Sequence, residues 1–287
     1  MRSIIQPGPV APERIQWVAA RGRAFSFICK AGMPLLEAAR SGFAMAGFAS
    51  GVLRWTGGGL GPFAYVMPAL AKTDEHAAFY SATFRPAGVT RLKLAAMTFG
   101  IRDGEPFFHC HALWTEADGR AGGGHILPVE TVVAEAFEVS AFGIDGATFL
   151  AEHDPETNFK LFGPVAANLT GDLSEASRAF AMRLRPNQDL SLALEAFCRQ
   201  HGIRRAHLHG GVGSTIGACF ADGRRVVPFA TEVAVRFGSI VAGPGGTLHT
   251  DLDIAMVDYL GGIAEGRLVR GDNPVLMTME LVLEVTG

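Results

Sequence analysis

Lysine is scarce in this 287-residue chain, which has only Lys30, Lys72, Lys93 and Lys160. Basic residues number 25 against 28 acidic ones, a formal charge of −3. A cut between Asp172 and Leu173 leaves 14 basic and 16 acidic residues before it, and 11 and 12 after it. Neither half is basic, which argues against an autonomous DNA binder, because phosphate neutralisation supplies most non-specific affinity. The cysteines Cys29, Cys110, Cys198 and Cys219 show no CxxC spacing and read as free thiols in a reducing compartment. No apolar run reaches membrane-spanning length, and the start MRSIIQPGPVAPER lacks the apolar core of a signal peptide. A cytoplasmic protein is expected. No serine sits in a recognisable nucleophile turn. The run from His209 to Ser214 has neither GxGxxG nor GKS/T spacing, and it leads into a strand instead of the helix a phosphate loop requires.

What is present is globular: 48% hydrophobic and 18% charged residues, with length enough for one large or two ordinary domains. The most informative stretch is Gly104 to Pro128. Alternation along Phe107 to Trp114 puts His109, His111 and Leu113 on one strand face and Phe108, Cys110, Ala112 and Trp114 on the other. A three-residue turn at Ala117-Asp118-Gly119 pairs Glu116 with Arg120 and sets His111 opposite His125. A two-residue loop on Asp118-Gly119 would instead send His125 to the far face. Three imidazoles on one face are a ligand set for a borderline divalent metal such as zinc, with a fourth position open. The competing reading is a surface hairpin whose histidines only exchange hydrogen bonds. Gly122-Gly123-Gly124 lowers strand propensity and implies close approach by another backbone or a ligand.

The chain repeats its own order. Phe25 to Cys29 reads as a strand, Leu35 to Arg40 as a helix with Gly42 as its stop, and Thr90 to Phe99 as a strand leading to the hairpin. In the second half, Phe180 to Leu184 reads as a strand and Asp189 to His201 as an amphipathic helix stopped by Gly202. Pro106-Phe107-Phe108-His109 matches Gly246-Thr247-Leu248-His249, and Glu138-Val139 matches Glu284-Val285. The first unit carries about fifteen extra residues, placed between Thr56 and Phe84. Residues 1–20 read as an arm. The expected architecture is α+β: two similar α/β-sandwich domains, each a mostly antiparallel sheet with a helix on one face. Boundaries fall at 20–150 for the first, 151–176 for a linker, and 177–287 for the second. In the second copy His249 survives, but Asp251 stands where His111 was. The turn near Asp258 to Gly262 puts Arg267 opposite Asp251, so the site is degenerate. His249, Asp251 and Arg267 read either as an anion or polar-ligand site or as a structural ion pair.

The motifs His109-Cys110-His111 and Gly123-Gly124-His125, with the last strand ending at Glu138, resemble the plants-and-prokaryotes-conserved (PPC) domain. So do Gly266-Arg267-Leu268-Val269 and Met279 to Glu284 in the second half. Two tandem copies would cover about 25–145 and 178–286. The resemblance implies sandwich domains and a metal on His109, His111 and His125. It also implies a homo-oligomer, with a trimer favoured. The family's DNA-binding label comes from plant members carrying AT-hooks, and no such hook is found here. Two functions are expected as alternatives. The first is one zinc-like site binding or acting on a small polar or anionic molecule, with Glu130, five residues beyond His125, as a candidate acid/base. The second is a non-catalytic structural or regulatory module, associated with DNA only through a partner.

Overall fold

The structure is a computed structural model and describes residues 2–170 and 176–287. Among those residues, 17 strands join one sheet system and two helices pack on it. The α+β class expected from the pattern is the one found, rich in antiparallel strands.

Strand β1, Ile15–Cys29, starts where the prolines of the arm end. It is a single strand of 15 residues, whereas the sequence pattern marked only Phe25 to Cys29. Ile15 to Gly22 pair with the second half of the chain, and Arg21 to Cys29 with the first.

Helix α1, Leu35–Met45, runs through Gly42. A Cβ there would meet the Phe27 ring at 2.4 Å, so Gly42 is a packing glycine and not the stop. The chain turns instead at Gly47, at φ +82. Strand β2 is Ser50–Trp55. The extra segment of the first half contributes the short strands β3 (Gly59–Leu60), β4 (Tyr65–Val66), β5 (Pro68–Ala69) and β6 (Phe79–Tyr80). Then come β7 (Thr90–Arg102), β8 (Glu105–Thr115), β9 (Ala121–Ile126), β10 (Val133–Glu135) and β11 (Phe137–Asp145). Pairing runs β1–β11–β2–β7–β8–β9, all antiparallel.

Within residues 151–176, expected as a linker, the stretches 151–154 and 159–166 are strand. Strands β12 (Ala147–Asp154) and β13 (Phe159–Ala166) form an antiparallel hairpin, and β12 also runs parallel to β7. Pro155 sits in the loop between them. Two of the charges that suggested a solvated connection are buried in pairs: Glu156 with Arg14 at 2.7 Å, and Asp154 with Arg183 and Arg185 at 2.8 and 2.5 Å, while Glu152 and Lys160 are exposed. The end of the expected linker and the cut at Asp172/Leu173 lie outside the described residues.

The second half has the same order of elements. It comprises β14 (Ser177–Leu184), α2 (Leu190–Gln200), β15 (Arg205–Cys219), β16 (Arg225–Ala242), β17 (Leu248–Asp258), β18 (Ile263–Arg267) and β19 (Val275–Val285). Asp189 caps α2, its side chain accepting from the Leu192 amide at 2.9 Å, and Gly202 at φ +65 ends the turn beyond it. Pairing runs β14–β19–β15–β16–β17–β18.

Each half buries its helix face in its own core. Phe43, Met97, Phe108, Cys110 and Trp114 belong to the first core, and Phe180, Leu194, Phe197, Leu252 and Ile254 to the second. The opposite sheet faces meet each other: Leu94, Ala96 and Leu113 of the first half pack on Val212, Ala234 and Ala255 of the second. This contact roofs the face of β8 that carries the histidines. No helix among the described residues is long and apolar enough to cross a membrane.

Candidate metal centre

The hairpin closes with the three-residue turn. The Glu116 amide donates to the Arg120 carbonyl at 2.8 Å, and the amide of Gly119, at φ +88, donates to the Glu116 carbonyl at 2.9 Å. The Glu116 carboxylate accepts from the Tyr65 hydroxyl and from Arg120, both at 2.8 Å, which ties the turn to β4. Register then runs Thr115 to Ala121, Leu113 to Gly123 and His111 to His125. The glycine run answers to protein packing. A Cβ on Gly122 would strike the Trp114 indole at 2.5 Å, and one on Gly124 the Val66 carbonyl at 2.4 Å.

His109, His111 and His125 come together, each offering a ring nitrogen within 4.8 Å of the others. Nε2 of His109 lies 2.9 Å from Nε2 of His111. Their other nitrogens are engaged by the second half: Nδ1 of His109 meets both oxygens of Glu280 at 2.9 and 3.0 Å, and Nδ1 of His111 meets the Val233 carbonyl at 3.0 Å. With each Nδ1–H donating outward, both Nε2 lone pairs are left facing one point. Two nitrogens on a tetrahedral zinc, each about 2.0–2.1 Å from it, stand about 3.4 Å apart. The pair is therefore close to coordination spacing. Nδ1 of His125 is buried with no hydrogen-bond partner among the described residues. These donors fit a borderline divalent metal.

The electrostatics favour neutral ligands. Burial holds His111 well below the usual histidine range, and the neighbouring charges of His109 and His125 push the same way, against the backbone bonds to Val233 and Gly213. Burial does the same to His125, with help from His109 and Arg102. Glu232, whose carboxylate lies 3.9 Å from Nε2 of His111, is pushed well above the usual carboxylate range by burial. Cys110 points to the helix side, as alternation requires, and burial pushes its thiol up.

Several residues around the centre were not legible as site residues. Glu232 is the one carboxylate of β16 and Glu280 one of two in the largely apolar β19, and that sparseness is the sequence signal they give. Tyr80 comes from the extra segment and its ring stands 5.4 Å from that of His125. Glu130 is elsewhere, in an exposed ion pair with Arg85 at 2.6 Å.

The second-half trio needs correction. The turn from Asp258 to Gly262 has the same bonds as the first, but the ladder sets Arg267 opposite Asp253 and not Asp251. Counted from the two turns, His109, His111 and His125 correspond to Asp251, Asp253 and Arg267. His249 lies one step outside the trio, exposed and opposite Val241. The similarity of Gly246-Thr247-Leu248-His249 to the first hairpin had shifted the match by two residues. The last strands are shifted likewise: Phe137 opposite Cys29 and Met279 opposite Leu184 make Glu138 the counterpart of Glu280, not of Glu284. Arg267 still reaches Asp251 at 3.1 Å, in an exposed pair. Asp253 is held by Arg236 at 2.6 Å, which also binds Glu265 at 2.7 Å. His207 and His209 lie away from the centre, His209 bonded to Glu284 at 2.6 Å.

Comparison with known proteins bears on the second half most directly. Residues 172–286 match the family model of the Plants and Prokaryotes Conserved (PCC) domain. No curated protein matches the chain. Among solved structures, it is similar to a plant- and prokaryote-conserved protein from Pyrococcus horikoshii, with 19% identity and TM-score 0.40, over 52% of this chain and 97% of that one. A metal-containing protein from Archaeoglobus fulgidus is similar at 18% identity and TM-score 0.39, over 50% and 94%. A Bacteroides thetaiotaomicron structure provisionally called a DNA-binding protein is similar at 14% identity and TM-score 0.37, over 48% and 90%.

Proposed function

We propose that His109, His111 and His125 hold one divalent metal ion, zinc by donor type, in a centre that binds or acts on a small polar or anionic molecule. The observation that carries this reading is the convergence of three imidazoles with two of their outward nitrogens already engaged, by Glu280 and by the Val233 carbonyl. Such outward bonds fix ring orientation and raise ligand basicity. A bound zinc ion supplies a Lewis acid and lowers the pKa of a coordinated water. The protein's own contribution is to hold the three rings, to keep His111 and His125 neutral by burial, and to place Glu232 beside them.

The two halves read as copies of one domain, in which only the first kept the ligand set. Support comes from the matching strand order and the identical turns at Glu116–Arg120 and Asp258–Gly262. Asp251 and Arg267 neutralise each other, so the second trio is read as a structural ion pair.

The test is metal content of the full chain by mass spectrometry after chelation and zinc titration, alongside a His109→Ala/His125→Ala double variant. One ion per chain in the parent and none in the variant is expected. Equal uptake by both, or none by the parent, overturns the reading.

A further inference from the structure

A small hollow of about 80 Å³ opens beside the imidazoles of His109 and His125. Its other walls include Arg102, Lys160, Phe107 and Tyr80. The two cations share a single carboxylate. Lys160 binds Asp103 at 2.5 Å, and Nε of Arg102 stands 3.6 Å from it. Asp103 is two-thirds exposed (67%), at a turn with φ +54, so its hold on Arg102 is weak and screened. The Arg102 guanidinium lies 4.9 Å over the Phe107 ring, which orients its plane. Ala151, its neighbour on β12, also lines the hollow, so Arg102 is anchored at the edge of a paired strand.

Charge and size together select a ligand. With a divalent ion on three neutral imidazoles, Arg102 and Lys160 add two positive charges, while Glu280 and Asp103 remove two. The centre therefore keeps an excess that an anion would offset. A space of about 80 Å³ admits a molecule of a few heavy atoms and not a sugar or a nucleotide. A planar guanidinium held by an aromatic face suits a carboxylate.

We propose that the centre takes a small aliphatic carboxylate of two or three carbons, with Arg102 as the residue that receives its charged end. This rests on the metal reading for the second attachment point only; the Arg102 hollow is present in the protein itself.

The experiment uses the full chain, metal-free and zinc-loaded, and follows binding of acetate, propionate and pyruvate by ligand-observed proton NMR, with propionamide as the neutral control. Propionate or pyruvate should bind the zinc-loaded parent at least tenfold more tightly than Arg102→Gln, and propionamide should not compete. Lys160→Gln, checked for folding by circular dichroism, should show a smaller loss. Metal content is measured on every sample. If the parent takes no zinc yet loses carboxylate binding on Arg102→Gln, the metal reading fails and this one stands. If zinc is present but none of the acids binds, or Arg102→Gln binds them equally, or propionamide binds as well as propionate, the carboxylate assignment is overturned.

Discussion

Replacing Glu280 by Gln separates the second half's contribution to the centre from its contribution to the fold. Glu280 is fully buried, and both its oxygens face Nδ1 of His109. A hydrogen bond to a charged group contributes roughly 1.5–3 kcal/mol net, and one between neutral groups roughly 0.5–1.5 kcal/mol. The amide keeps the shape and one acceptor, so the difference, about 1–1.5 kcal/mol, is what His109 loses as a ligand. That corresponds to about a tenfold loss of zinc affinity, at the lower end of the 10–100-fold usual for such partners. The same change removes a buried charge from the metal-free protein, so its melting temperature should move by no more than about 2–4 °C, the equivalent of 1 kcal/mol in a domain of this size. Competition with a chromophoric chelator gives the affinity, and calorimetry of the chelated protein gives the melting point. An unchanged zinc affinity, with the variant fully folded, would refute the role assigned to Glu280.

The metal-free protein should lose stability as pH falls below about 6.5. His111 and His125 have lowered pKa values, so the unfolded chain takes up protons first as pH falls below about 6.5, and each costs about 1.4 kcal/mol per pH unit. Glu232 has a raised pKa and acts in the opposite sense, losing stability as pH rises above about 4.5. Burial lowers His207 and His209 as well, so the histidines outweigh Glu232 and stability should fall as pH drops below about 6.5; urea melts showing a flat profile there would contradict it. Gly124→Ala should cost about 1–3 kcal/mol, because its Cβ would meet a backbone carbonyl that no rotamer change can relieve; an unchanged urea midpoint would count against that packing. Asp154→Asn should cost about 3–5 kcal/mol by stranding the buried Arg183, whereas Asp251→Asn, in its exposed pair, should cost less than about 1 kcal/mol. Comparable losses in the two variants would undo that distinction.

The first hairpin was legible because local chemistry sets its register. Gly119 in the left-handed region selects the three-residue loop, and alternation does the rest. The second trio was not, since a similar run around His249 pulled the match two residues out of register, while its turn carried the right answer. Gly42 looked like a helix stop because no sequence pattern shows that Phe27 lies against it. Glu280 and Glu232 become site residues only when the two sheets meet, at 171 residues' separation in the case of His109 and Glu280. The charged stretch after residue 150 misled for a related reason: its partners Arg14, Arg183 and Arg185 are distant in sequence or lie beyond the next strand.

Strand β1 limits how the molecule can be divided. Ile15 to Gly22 lie beside β14, and Arg21 to Cys29 beside β11, so one uninterrupted strand is a member of both halves. Severing the chain midway would strip β14 of a neighbour and leave six residues of the amino-terminal fragment, Ile15 to Ala20, without a strand partner. During synthesis those residues must wait for β14 to emerge before their ladder can close. The imidazole of His109 and the carboxylate that steadies it are thus carried on sheets that share the first strand of the protein.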